Sequence, residues 1–87
     1  MATRQSMEQL LEQCETALQH AQEQYKQSSR QEHYNDDEYA VAMQELENAY
    51  NDLTQLAHSA NSQQREQLHR MRLQLQQAQN HMTLLRY

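Results

Sequence analysis

Leu56-Ala57-His58-Ser59-Ala60-Asn61-Ser62-Gln63-Gln64 separates two amphipathic stretches, and how it is read decides the fold. As helix it fuses the two into one rod; as a turn it folds the second back onto the first. Ser59, Asn61 and Ser62 favour caps over helix interiors, because their short polar side chains compete for nearby backbone groups. Asn61 with Gln64 three residues later has capping-box spacing, in which each side chain satisfies the other residue's backbone N–H. The stretch therefore predicts a helix end near His58 and a new start near Ser62. The alternative arises because the chain has no Gly and no Pro. Without a break the last two segments form one helix of about 50 residues. Its second half finds no partner within one chain, so that version has to dimerise.

Upstream of this stretch lies a second segment with Tyr39, Ala42, Met43, Leu46, Ala49, Tyr50, Leu53, Leu56, Ala57 and Ala60 at helical spacing. These fill heptad positions a, d and e, a stripe wide enough to face a core. Its start carries a full set of signals. Asn35 stands as N-cap with Glu38 as its capping-box partner, and Asp36 and Asp37 sit in the first turn. Tyr34 and Tyr39 flank that cap in the positions of a hydrophobic staple. The first segment repeats the wide stripe with Met7, Leu10, Leu11, Cys14, Ala17, Leu18, Ala21 and Tyr25.

Downstream, Leu68, Met71, Leu75, Ala78, Met82 and Leu85 alternate spacings of three and four. That is a narrower a/d seam of the kind coiled coils use, with Leu73 and Leu84 lying off it. Three helices of roughly 22–25 residues are each about 33–38 Å long at 1.5 Å per residue. Short connections make successive helices antiparallel. The pattern favours an all-α, antiparallel up-down-up three-helix bundle in one domain over residues 1–87, with helices at about 6–29, 36–58 and 62–85. A helical hairpin with a long second helix, dimerising, is the alternative.

Composition narrows function mainly by exclusion. There is no Ile, Phe or Trp and a single Val, against 17 Gln, 11 Leu and 9 Ala, which rules out a β-rich fold. Gly-rich phosphate loops are excluded by the absence of Gly. A net charge of -5 does not suit generic nucleic-acid binding, which depends on neutralising phosphates. No run reaches the roughly 20 apolar residues of a membrane span. The N-terminal Met1-Ala2-Thr3-Arg4-Gln5-Ser6 lacks a secretory apolar stretch, and Cys14 alone makes no internal disulfide, so a cytoplasmic location is expected. Charge is uneven along the chain. Residues 31–60 hold seven acidic groups and no Lys or Arg, whereas residues 61–87 hold four Arg and one Glu. An acidic helix lying beside a basic one accounts for this, and a surface that steers a charged partner is the alternative.

Candidate chemistry is sparse. Cys14 falls on the core stripe, where a thiol has a raised pKa and is inert. Glu66 and His69 have the spacing of a di-iron helix motif, but they flank the seam and the motif occurs once. His33, Asp36, Asp37 and Glu38 lack calcium-loop spacing. The five His are scattered with no pair at i, i+4. No catalytic set, cofactor, metal or small-molecule substrate is therefore expected. Arg65, His69, Arg70 and Arg72 form a basic patch that is a possible partner-binding site.

Ser28-Ser29-Arg30-Gln31-Glu32-His33-Tyr34-Asn35-Asp36 and Gln63-Gln64-Arg65-Glu66-Gln67-Leu68-His69-Arg70-Met71-Arg72-Leu73-Gln74-Leu75-Gln76, with the N-terminal hexapeptide, resemble the YtzC-like family of short uncharacterised proteins of Bacillus and relatives. The resemblance spans essentially the whole chain. It implies a cytoplasmic bacterial protein with a domain of unknown function, and it transfers no site. The expectation is a non-enzymatic module for protein–protein interaction or self-association, with a homodimer among the possibilities. The alternative is a regulator that docks its Arg-bearing third helix on RNA or an acidic protein.

Overall fold

The computed structural model describes residues 2–29 and 36–86. Three helices account for nearly all of them: α1 over Arg4–Ser29, α2 over Asp36–Ala57 and α3 over Ser62–Arg86. The anticipated cap at Asn35 and staple at Tyr34 lie outside the described residues.

The turn between α2 and α3 is real. The N–H of Asn61 donates to Gln64 Oε1 at 3.0 Å, and the N–H of Gln64 donates to Asn61 Oδ1 at 2.9 Å. The Asn61 carbonyl then accepts the N–H of Arg65 at 2.8 Å, which opens the new helix. Just before it, the chain tightens into i→i−3 bonds from His58, Ser59 and Ala60 back to Gln55, Leu56 and Ala57. Ala60 turns inward and is buried. The chain therefore reverses at residues 58–61, and the long second helix is not formed.

Cross-helix hydrogen bonds set the direction of each pair. Gln13 Nε2 donates to Asp52 Oδ2 at 3.0 Å, His20 Nδ1 lies 2.7 Å from Glu45 Oε2, and Gln24 Nε2 donates to Glu38 Oε2 at 3.4 Å. Numbers rise in α1 as they fall in α2, so the two are antiparallel. Arg65 Nε donates to the Ala57 carbonyl, Gln76 to the Tyr50 hydroxyl, and the Tyr39 hydroxyl to the Met82 carbonyl, which makes α2 and α3 antiparallel too. Gln64 Nε2 donates to the Ala2 carbonyl at 2.8 Å, and the Tyr25 and His81 rings meet at 5.9 Å, so α1 and α3 run parallel. This is the up-down-up bundle.

The core is the set of a and d positions. α1 contributes Met7, Leu10, Cys14, Ala17 and Ala21; α2 contributes Tyr39, Ala42, Leu46, Ala49 and Leu53. α3 adds Leu68, Met71, Leu75 and Met82. The e positions Leu11, Leu18, Met43 and Tyr50 are half-buried against this seam. Cys14, Ala17 and Ala21 hold the middle of α1, Ala recurs in α2 at Ala42 and Ala49, and these two helices share the most extensive backbone approach of the three pairs. Larger side chains then fill the third side, where each fully buried Leu is worth about 1.5–3 kcal/mol. The hydroxyls of buried Tyr39 and half-buried Tyr50 both have hydrogen-bond partners.

One boundary differs from the sequence expectation. α1 begins at Arg4, not near Ser6, because Thr3 caps it: the Ser6 N–H donates to Thr3 Oγ1 at 3.0 Å. The Met7 N–H reaches the Thr3 carbonyl at 3.1 Å, and Ala2 is drawn into the core.

Substitution Asn61→Ala removes one half of the capping box and leaves the fold intact. We expect a loss of about 1 kcal/mol, seen in thermal denaturation as a fall in Tm of about 4–8 °C for a chain this small. An unchanged Tm contradicts the role given to the turn.

Candidate functional site

The basic residues singled out in the sequence lie along the first half of α3 and are largely engaged. Arg65 Nε donates to the Ala57 carbonyl at 3.2 Å and so closes the C-terminus of α2. Arg70 pairs with Glu66 at 2.9 Å, one turn back on the same helix. Arg72 Nη2 lies 2.9 Å from His69 Nδ1. Arg72 is half-buried, and its Nε is a buried donor with no partner among the described residues. Helical geometry places Arg65, His69 and Arg72 on the flank toward α2 and Arg70 on the opposite flank, so the four do not converge. The arginines make these bonds on α3 and at a backbone carbonyl, while carboxylates of α2 reach across to Gln13, His20 and Gln24 of α1. The acidic helix is thus stitched to α1.

Two titratable groups stand out. Cys14 is fully buried and its pKa is pushed up to about 11, first by desolvation and then by the charges of Asp52 and Glu15. A thiol held this way is a packing residue, and no base among the described residues is hydrogen-bonded to it. His20 is half-exposed and its pKa is raised, chiefly by the hydrogen bond to Glu45 and then by that carboxylate's charge. Among the described residues no group of three or more His, Cys, Asp or Glu side chains is placed to hold a metal ion. Nor is any of the three helices long and apolar enough to cross a membrane.

Two of the concave features are interhelical grooves. One of about 570 Å³ lies between α1 and α3, lined by Leu18, Ala21, Tyr25, Ala78, His81 and Met82 among others. Another, of about 270 Å³, lies between α1 and α2 and is bordered by His20, Glu23, Asp37, Glu38 and Glu45.

A further feature is built on Leu73 and Leu84, which the sequence places off the core seam without showing that they share an uncovered face. Leu73 is 50% exposed and Leu84 is 71% exposed, on the side of α3 that faces away from both neighbours. Gln77 and Asn80 sit between them, also exposed. From Leu73 to Leu85 there is no Asp, Glu, Lys or Arg across 13 residues. The first half of α3 is charged, the second half carries no charge before its last residue, Arg86, and α3 is the least amphipathic of the three helices. The signal that could have found this face is the second set of heptad spacings: 73, 77, 80 and 84 are separated by four, three and four.

Burial and the high pKa of Cys14 predict that a disulfide reagent such as Ellman's leaves the native thiol unmodified at pH 8 and titrates it fully in denaturant. Rapid native modification would place Cys14 outside the core. The His20–Glu45 contact predicts a pH effect of definite sign. Because the folded pKa is raised, the contact stabilises the bundle fully below the ordinary histidine value of 6.5 and is lost as pH rises through the folded value. Following the His20 ring by NMR, Glu45→Gln should lower its titration midpoint; an unmoved midpoint contradicts the contact.

Comparison with known proteins agrees with this fold in being functionally silent. The family model described as "Protein of unknown function (DUF2524)" matches residues 1–84. The chain is also similar to "Uncharacterized protein YtzC" of Bacillus subtilis (strain 168), with 58% identity over 84 residues, covering 97% of this chain and 93% of that protein. No solved structure matches. With nearly its whole length covered at that identity, this three-helix chain belongs to the DUF2524 family of proteins of unknown function.

Proposed function

We propose that the chain is a non-enzymatic helical module that acts by binding protein, and that it binds through the outer face of the second half of α3. The observation that carries this is the uncharged, exposed surface bearing Leu73 and Leu84. Exposed single leucines are ordinary, but depletion of charge around them is the compositional mark that separates interface cores from the remaining surface. The rest of the molecule supplies a rigid support, since α3 is held along its length by α1 and α2. In this reading the protein acts in the cytoplasm, where a single reduced thiol is ordinary.

Docking of an anionic partner on Arg65, His69, Arg70 and Arg72 is the weaker reading. The arginines would have to give up the bonds to Ala57, Glu66 and His69 that the structure gives them. Its signature is a steep loss of binding as salt rises, whereas binding through the leucine face is nearly salt-independent.

Site-specific photo-crosslinking in living cells tests the proposal. A photoreactive residue at position 84 should give crosslinked protein products, and the same residue at the exposed position 51 on α2 should give none. Products at 51 and none at 84 would overturn the assignment of the face.

A further inference from the structure

Resting on the interaction reading above, we infer that the partner for this face is a second copy of the chain, bound across a two-fold axis with the two α3 helices antiparallel. Leu73, Gln77, Asn80 and Leu84 have the alternating spacing of a coiled-coil seam, in heptad positions d, a, d and a. In an antiparallel pair, a positions of one helix layer against d positions of the other. When the axis passes between Gln77 and Asn80, every layer is filled at once. Leu73 then meets Leu84 of the partner subunit, and Gln77 meets Asn80 of the partner subunit. By symmetry the same contacts repeat on the other side, which is the self-complementarity an isologous interface requires.

Chemistry supports the same register. The two outer layers are leucine on leucine. The two inner layers set the amide of Gln77 against that of Asn80, each with a donor and an acceptor, so neither is left unpaired. The residues flanking the seam, Gln74, Gln76, His81 and Thr83, carry no fixed charge, so no like charges face each other across the axis. A parallel pairing stacks Gln77 on Gln77 and Asn80 on Asn80, and it also superimposes Arg70 on Arg70, a like-charge contact that the antiparallel register removes.

The seam spans about 17 Å of helix at 1.5 Å per residue. An interface of that length falls in the weak, transient class below about 1,200 Å². The dimer is therefore concentration-dependent, and the monomer remains a closed bundle because none of these four side chains belongs to its core.

Sedimentation equilibrium from about 10 µM to about 1 mM, which brackets a Kd between about 1 µM and about 1 mM, reads the mass directly. The wild-type chain should rise from 10.4 kDa toward twice that value, and Leu84→Glu should hold at 10.4 kDa throughout. Circular dichroism of Leu84→Glu should be unchanged, since the side chain is 71% exposed. Register is tested separately by oxidising an equimolar mixture of single variants Gln77→Cys and Asn80→Cys. The mixed disulfide should exceed either homodimer several-fold, because only the 77–80 pair is in layer. A wild-type mass fixed at 10.4 kDa, a dimer that survives Leu84→Glu, or a statistical mixture of disulfides would each overturn the inference. If the wild type stays monomeric while position 84 still crosslinks to other proteins in cells, the interaction reading stands and only the two-fold dimer falls.

Discussion

The reversal of the chain at residues 58–61, capped by reciprocal hydrogen bonds between Asn61 and Gln64, is the constraint on which the bundle is built. In a chain without glycine or proline, nothing in backbone sterics forces a helix to stop. The break instead comes from side chains that satisfy the N–H groups a new helix leaves open. Gln64 does this with its amide oxygen, which accepts the Asn61 N–H, and its amide nitrogen donates to the Ala2 carbonyl, so a single side chain caps α3 where α2 ends and pins the start of α1 beside them. Arg65 completes the corner by closing the last turn of α2.

Once the corner exists, composition decides how the helices meet. Cys14, Ala17, Ala21, Ala42 and Ala49 leave little between the backbones of α1 and α2, and the bulk of the core is then supplied by leucine, methionine and Tyr39. Small side chains bury little area each, so such a core relies on its long side chains being fully enclosed. Tyr39 is the largest of these, and its hydroxyl finds the Met82 carbonyl near the far end of α3. The result holds α3 firmly on two sides and leaves its outer side free of structural duty. That freedom gives Leu73 and Leu84 their significance: they are apolar where the bundle does not need them to be.

Much of this is legible in the sequence alone. Helical periodicity located all three helices to within about two residues, because a and d positions stay in phase over about six to seven turns. The Asn61–Gln64 cap was legible because its chemistry is local. Thr3 was not, since Thr-x-x-Ser is a weaker signal than Asn followed by Gln, and α1 was expected to begin later. The pairing of charges was not legible either. Sequence segments of opposite sign suggested that α2 lies against α3 through its charges, but charge totals do not say which face a residue occupies, and the carboxylates of α2 reach α1 instead. The outer seam of α3 was present in the sequence as leucines off the main stripe. Only the fold shows that neither neighbour covers them.

The central claim is that α3 folds back on α2 within one chain, and an intramolecular distance tests it most directly. Spin labels at Val41 and Thr83, both exposed, would be read by pulsed electron paramagnetic resonance in an excess of unlabelled protein, so that only distances within one chain are seen. The bundle predicts a separation under about 25 Å, set by adjacent helices packed 8–10 Å apart plus the label arms. A continuous second helix would instead hold the labels about 63 Å apart at 1.5 Å per residue, and that distance would contradict the account.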